Sequence, residues 1–430
     1  MTYQERLLKA IPGGSHTYSR GFDQFPSNAP QILKRGKGAY VYDQNEREFL
    51  DYGMALRAVN IGYANEEINQ AAIRQINYGN NLTRASMIEL EAAELLINII
   101  DSIDMVKFTK NGSTATTAAV KLSRAFTGRN MIARCLEHPF FSYDDWFIGS
   151  TKIPKGVPQE IIDSTKTFNY NDIQSLEKLF ECYPNQIACV ILEPSTTEHP
   201  KDNFLHKIKA LCQKNGAVFI LDEMITGFRW HRKGAQYYYD IEPDLCTFGK
   251  AMANGFSVAA VAGKREIMQL GSTEFKGQER LFLLSTTHGA EMSSLGAFVQ
   301  SMKFIREHDV IEHIWEYGEK LMGMMNSYAK KFGVEKNFIA DGIACSPYYL
   351  TFDSNGSVSL GLRTLFSQEM IKNGVLMPWI ALSYAHKDKE LEVTRKAVEK
   401  TFEVYKKAVD EGFEEYLDGH IVQPVFRKYN

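Results

Sequence analysis

Between residues 105 and 263 the chain repeats one pattern. A short apolar run meets a polar or glycine stop, and a longer amphipathic stretch follows. The runs are MVKFT (105–109), MIARCL (131–136), ACVILEP (188–194), AVFILDE (217–223), DLCTFG (244–249) and SVAAVAG (257–263). They are rich in Val, Ile and Phe, as short strands are. Strands apolar along their whole length are covered on both faces, which a parallel sheet between helical layers achieves. The helix-like stretches 114–127 and 204–215 stop at Gly128 and Gly216, where a left-handed cap belongs. These features predict an α/β domain over residues 62–309. In the flanks, residues 31–53 predict two short strands around a turn at Asp43-Gln44-Asn45, and a long helix is expected from Lys387 to Gly412. Residues 1–61 and 310–430 are therefore expected to build a smaller α+β domain from both chain ends.

Charge and cysteine usage exclude several classes of partner. The 430 residues hold 49 Lys+Arg and 52 Asp+Glu, a formal charge of −3. That balance offers no attraction for nucleic acid or anionic membranes. Glu5, Arg6 and Lys9 occupy the place where a secretion signal would be apolar. The least charged long stretch, 281–302, contains Glu291 and is cut by Ser, Thr and Gly, so no membrane span is expected. The six cysteines form no CxxC and cluster with no histidine, so neither a disulfide framework nor a metal site is expected. A reducing cytoplasm is the expected location.

The sequence lacks GxGxxG, GxxxxGK[ST], GxSxG and HExxH. Chemistry-bearing residues fall instead at the carboxyl ends of the expected strands, where open α/β sheets bind ligands. Lys110-Asn111-Gly112-Ser113-Thr114 precedes a helix and could hold a phosphate on its free N–H groups, or be a plain N-cap. Asp222-Glu223 closes an apolar strand; a carboxylate there meets a ligand cation, or pairs structurally with a residue such as Arg229. Lys250, among small and apolar residues, either snorkels to the surface or is buried and reactive. A phosphate cradle, a carboxylate and a lysine on successive strand ends are together the set that pyridoxal 5′-phosphate (PLP) needs: a phosphate anchor, an anion for the pyridine nitrogen and an amine for a Schiff base.

Residues 111–129 (NGSTATTAAVKLSRAFTGR), 221–229 (LDEMITGFR) and 247–256 (TFGKAMANGF) resemble the phosphate, aspartate and lysine motifs of the class III (ornithine-type) aminotransferases. Within that family the likeness is greatest to the glutamate-1-semialdehyde aminomutase branch, through residues 11–14 (IPGG), 20–22 (RGF) and 35–40 (RGKGAY). The resemblance implies PLP-dependent transferase fold type I, with a mainly parallel seven-stranded sheet. It implies that Lys250 forms the Schiff base and moves the substrate proton, that Asp222 holds the pyridine nitrogen and that Gly112 and Ser113 hold the phosphate. Met224 and Glu193 would complete the cofactor site. Phe140, or else Phe141, would stack on the ring. Thr287 would reach the phosphate of a neighbouring copy, which makes a homodimer the expected assembly. Arg20 would bind an acidic group of the substrate.

Three segments depart from the aminomutase pattern. Gly112-Ser113-Thr114 carries a hydroxyl where that pattern has an acid, Met377-Pro378-Trp379-Ile380 replaces an acidic segment, and Ser195–Pro200 lacks a glycine-rich loop. PLP chemistry with a different substrate is the expectation: transfer of an amino group from a donor such as glutamate to an aldehyde or ketone. Tyr143, Trp146, Trp379 and Tyr384 would suit a sugar-derived acceptor, and would equally suit core packing. The alternatives are the aminomutase reaction itself and a non-catalytic member of the fold.

Overall fold

The computed structural model describes residues 1–274, 277 and 279–429. In chain order the strands are β1 (Leu33–Lys37), β2 (Tyr40–Asp43), β3 (Glu48–Asp51), β4 (Met105–Thr109), β5 (Met131–Cys135), β6 (Thr165–Phe168) and β7 (Ile187–Leu192). They continue as β8 (Val218–Glu223), β9 (Leu245–Phe248), β10 (Ala259–Gly263), β11 (Phe338–Ile343), β12 (Ser346–Thr351) and β13 (Val375–Leu376). The chain divides into two compact units. One spans Glu66–His308; the other joins Met1–Asn65 to Asp309–Arg427.

The Glu66–His308 unit is organised by a seven-stranded sheet in the order β4-β10-β9-β8-β7-β5-β6. From β6 to β9 every neighbouring pair is parallel, and β10 runs antiparallel to both β9 and β4. Strands β5, β7, β8, β9 and β10 are buried at every position, so their mostly apolar runs are what a sheet covered on both faces requires. The helix Gly112–Thr127 lays Ala115, Ala118, Ala119 and Leu122 against the sheet. It starts two residues earlier than its periodicity predicts, because the Asn111 side chain caps it by accepting the Thr114 N–H at 2.9 Å. It ends at Gly128, and the helix Phe204–Asn215 ends at Gly216, with φ of 67° and 64°. The seventh strand, β6, has the sequence TKTF and presents no apolar run; it is an edge strand paired on one side with β5.

In the parallel part, Leu192 faces Leu221 and Asp222 faces Thr247 in register. Residues just beyond or at these positions, Glu193, Asp222 and the turn at Lys250, therefore emerge side by side at one edge of the sheet. Open α/β sheets bind ligands at that end of their strands.

The unit of both chain ends carries the sheet β1-β2-β3-β13 and the hairpin β11-β12. Residues 31–53 form three strands rather than the expected two. A reversal at Gly38 and Ala39, with Gly38 at φ 59°, separates β1 from β2 before the anticipated turn leads into β3. The long C-terminal helix spans Asp388–Glu411 and stops at Gly412. In the helix Val310–Lys331, a β-carbon at Gly318 would overlap the Ala344 carbonyl oxygen, so this contact tolerates only glycine. Gly318→Ala is expected to cost about 1–3 kcal/mol of stability, measured as a lower thermal midpoint; an unchanged midpoint would mean that the helix does not pack this closely.

Candidate active site

Asp222 lies near the end of β8 with only 1% of its surface exposed. Its Oδ1 accepts two hydrogen bonds, from the Met224 N–H at 3.0 Å and from Thr247 Oγ1, its register partner on β9, at 2.9 Å. Burial pushes the Asp222 carboxyl up to about 6, against the pull of the Lys250 charge and these two bonds. Lys250 leaves β9 through Gly249 and is half-buried. Its φ of 43° is in the left-handed region that a lysine rarely adopts. A strained backbone of this kind persists only where its surroundings fix it. Sheet register and this turn together set the lysine charge against the buried carboxylate.

The next carboxylate, Glu223, has a different task. It accepts from the Ala235 N–H at 2.6 Å, the Gln236 N–H at 3.0 Å, Gln236 Nε2 at 3.1 Å and Thr226 Oγ1 at 3.0 Å. Four donors on one buried carboxylate tie the loop after β8 back onto the strand end.

Met224 sits between two glycines, Gly112 and Gly249. A β-carbon at Gly112 would lie 2.8 Å from Met224 Sδ, and one at Gly249 would lie 2.6 Å from it. The thioether therefore joins the start of the helix Gly112–Thr127 to the turn that presents Lys250. Gly112 and Ser113 open this helix, and their N–H groups have no acceptor within it. Ser113 Oγ accepts the Tyr143 N–H at 3.1 Å, so its own hydrogen remains available to a ligand. Thr116 Oγ1 donates to the Phe141 carbonyl at 2.8 Å, fixing the loop after β5 over the helix start.

Of the two aromatic candidates in that loop, Phe141 is 2% exposed and packs edge-on against Phe147 at 5.8 Å. Phe140 is 47% exposed and is the ring a ligand can reach. Glu193 is 2% exposed just past β7, and its N–H is bound by His138 Nδ1 at 2.9 Å. Sequence reasoning gave His138 no role: a histidine between Glu137 and Pro139 gives no signal of its own, and its importance lies in a contact 55 residues away. Thr287 is exposed, with its carbonyl accepting from Asn81 Nδ2 at 3.0 Å.

Arg20 belongs to the unit of both chain ends, where it lines a cavity of about 500 Å³ together with Asp51, Tyr63, Pro378 and Trp379. Asp51 accepts from the Gly53 N–H, the Met54 N–H and the Tyr63 hydroxyl, all within 3.0 Å. These bonds anchor residues 54–57, four consecutive non-glycine residues with φ between 40° and 67°. Trp379 donates its indole N–H to the Gly53 carbonyl at 3.1 Å, and Trp146 donates to Thr117 Oγ1 at 2.8 Å. Tyr384 holds the Lys387 ammonium over its ring. Among the described residues there is no grouping of His, Cys, Asp and Glu that would hold a metal ion, and no helix long and apolar enough to cross a membrane.

Comparison with known proteins shows a family. The family model for aminotransferase class-III matches residues 24–346. Glutamate-1-semialdehyde 2,1-aminomutase of Francisella philomiragia is 30% identical over 418 residues, covering 91% of this chain and 94% of its own. The enzyme of that name from Wigglesworthia glossinidia brevipalpis is 30% identical over 420 residues, with 91% and 94% covered. Among solved structures, the FumI protein of Sphingopyxis sp. MTA144 in its PLP form superimposes with a TM-score of 0.86 at 25% identity, covering 95% of this chain and 97% of its own. An omega-transaminase from Sphaerobacter thermophilus gives 0.82 at 25%, with 94% and 97% covered.

Two outcomes follow from the electrostatics. Glu223→Gln is expected to cost about 1–3 kcal/mol in thermal or denaturant unfolding, since an amide cannot accept from all four donors; no loss of stability would mean that the carboxylate does not anchor the loop. For Asp222 the folded carboxyl titrates above the unfolded one. Its contribution to stability is therefore full below pH 4 and is lost as pH rises through about 6. Asp222→Asn removes this titration, so the ligand-free variant should gain on the parent by up to about 3 kcal/mol between pH 4 and pH 8. Parallel stability curves for the two proteins would contradict that burial.

Proposed function

The chain belongs to the class-III aminotransferases, and from that premise we propose that it moves an amino group from a donor, with glutamate the first to test, to the carbonyl carbon of an aldehyde or ketone. Its cofactor is PLP, which when bound supplies an electron sink for the carbanionic charge developed at the substrate carbon. The residues fit that group. Gly112 and Gly249 leave room for no side chain against Met224, so backbone and thioether form a close-walled cradle. A buried carboxylate with a raised proton affinity suits a pyridine nitrogen, with which it would share a proton.

In this reading Asp222 Oδ2, which takes neither the Met224 nor the Thr247 bond, faces the pyridine nitrogen. The N–H groups of Gly112 and Ser113 and the Ser113 hydroxyl hold the phosphate. Met224 and Phe140 confine the ring, and Glu193 borders it. The ε-amine of Lys250 meets the cofactor aldehyde and carries the proton to and from the substrate carbon. Lysine does this when a desolvated setting and a nearby anion tune its proton affinity. Arg20 takes an acidic group of the substrate. Thr287, exposed on one copy, serves the phosphate of a second copy in a homodimer. The observation that carries the proposal is the pairing of Lys250 with a buried Asp222 on adjacent strand ends.

A second reading, the intramolecular amino transfer of the aminomutases, is favoured by the 30% identical relatives that bear that name. Against it, the Arg20 cavity is walled by Pro378 and Trp379, which belong to the apolar segment 377–380 that stands where the aminomutase pattern is acidic. The two readings separate on one requirement. The purified holoenzyme should consume glutamate or another amino donor while aminating aldehydes and ketones, sugar-derived aldehydes included. Lys250→Ala should lose all turnover and the visible absorption of the lysine-bound cofactor. Conversion of glutamate 1-semialdehyde to 5-aminolevulinate without any donor would establish the second reading instead.

A further inference from the structure

The two ring nitrogens of His138 are in different situations. Nδ1 accepts the Glu193 N–H at 2.9 Å. A neutral imidazole that accepts at one nitrogen carries its proton on the other, so Nε2 is the donor. That Nε2 is buried and has no hydrogen-bond partner. The residue as a whole is 1% exposed, with Phe141 and Tyr170 ring centroids at 6.1 Å and 5.1 Å. Burial, reinforced by the charge of Arg134, pushes the His138 pKa down to about 3, so the ring stays neutral and the Nε2 proton stays in place near neutral pH. Buried donors are almost always satisfied, and one that is not calls for a specific acceptor.

Sheet register locates that acceptor. Arg134 pairs with Ile191 and Leu192 pairs with Leu221, so the loop carrying His138 leaves β5 beside Glu193, and Glu193 stands beside Asp222. Of the polar groups on PLP, three already have partners in the proposed site: the pyridine nitrogen at Asp222, the aldehyde at Lys250 and the phosphate at Gly112 and Ser113. One hydrogen-bond acceptor, the phenolic oxygen, has none. We propose that His138 donates its Nε2–H to the phenolic oxygen of PLP, making it a cofactor-binding residue of this chain. The proposal rests on the assignment of Asp222 and Lys250 to the cofactor. A neutral donor suits the role: it stabilises negative charge on the phenolic oxygen without placing a second proton where the cofactor ionises.

Two substitutions separate this role from a structural one. In His138→Asn the side-chain oxygen falls near the position of Nδ1 and keeps the Glu193 bond, while nothing replaces Nε2. In His138→Gln the amide N–H reaches the position of Nε2, while the acceptor for Glu193 is lost. Both variants are prepared as holoenzyme, and the visible absorption maximum, the PLP dissociation constant and the thermal midpoint are measured. The Asn variant should shift the absorption maximum and weaken PLP binding by about tenfold or more, with its midpoint close to the parent's. The Gln variant should keep the absorption maximum and affinity near the parent's while its midpoint falls. An unchanged spectrum and affinity in the Asn variant, or equal losses in both variants, would overturn the proposal. Failure of the underlying assignment looks different: Lys250→Ala would then leave the parent's absorption band in place.

Discussion

A carboxylate buried at the end of a strand is the constraint on which this molecule depends. Asp222 is removed from water, and its ionised form is costly unless partners are fixed around it. The structure supplies them through the fold itself. The parallel register of β8 and β9 brings up Thr247, the turn after β8 brings the Met224 N–H, and the turn after β9 brings Lys250. The neighbouring Glu223 holds that first turn with four donors. Two adjacent acids thus differ: one anchors the scaffold, and the other keeps a raised proton affinity.

Much of this arrangement can be read from the sequence, for identifiable reasons. Strands β5, β7, β8, β9 and β10 are buried on both faces, so each stands out as a mostly apolar run. Asp222 and Lys250 are legible because they close two of those runs, and Gly112 and Ser113 because they open a helix shortly after β4. Strand β6 is not legible, since an edge strand reading TKTF needs only one apolar face. The reversal at Gly38 and Ala39 is hidden for another reason: a two-residue turn leaves little trace within a polar segment. His138 escapes because its significance is a bond to a backbone group on another strand, which no local pattern records. Choosing between Phe140 and Phe141 likewise depends on packing: Phe141 fills space beside Phe147 and Trp146, which leaves Phe140 exposed.

The aromatic residues that suggested a sugar-derived acceptor mostly serve the chain's own packing. Trp146 and Trp379 each direct the indole N–H to a group of the protein, and Tyr384 lies under the Lys387 ammonium. Around Arg20 the structure holds four left-handed residues in place through one carboxylate, Asp51, and its three donors. Left-handed backbone costs roughly 1–2 kcal/mol per non-glycine residue, so such a turn persists only where its shape is fixed by its surroundings. The residues at the strand ends are therefore placed by sheet register, whereas those around Arg20 follow no sheet-wide pattern.

The central claim, that Lys250 is the amine placed by the fold to meet the cofactor, is tested most directly by reductive trapping. Holoenzyme is treated with borohydride, digested and mapped by mass spectrometry. The account predicts a single stable pyridoxyl-phosphate adduct on the peptide containing Lys250. An adduct on any other lysine, or no adduct in protein that has bound PLP, would contradict it.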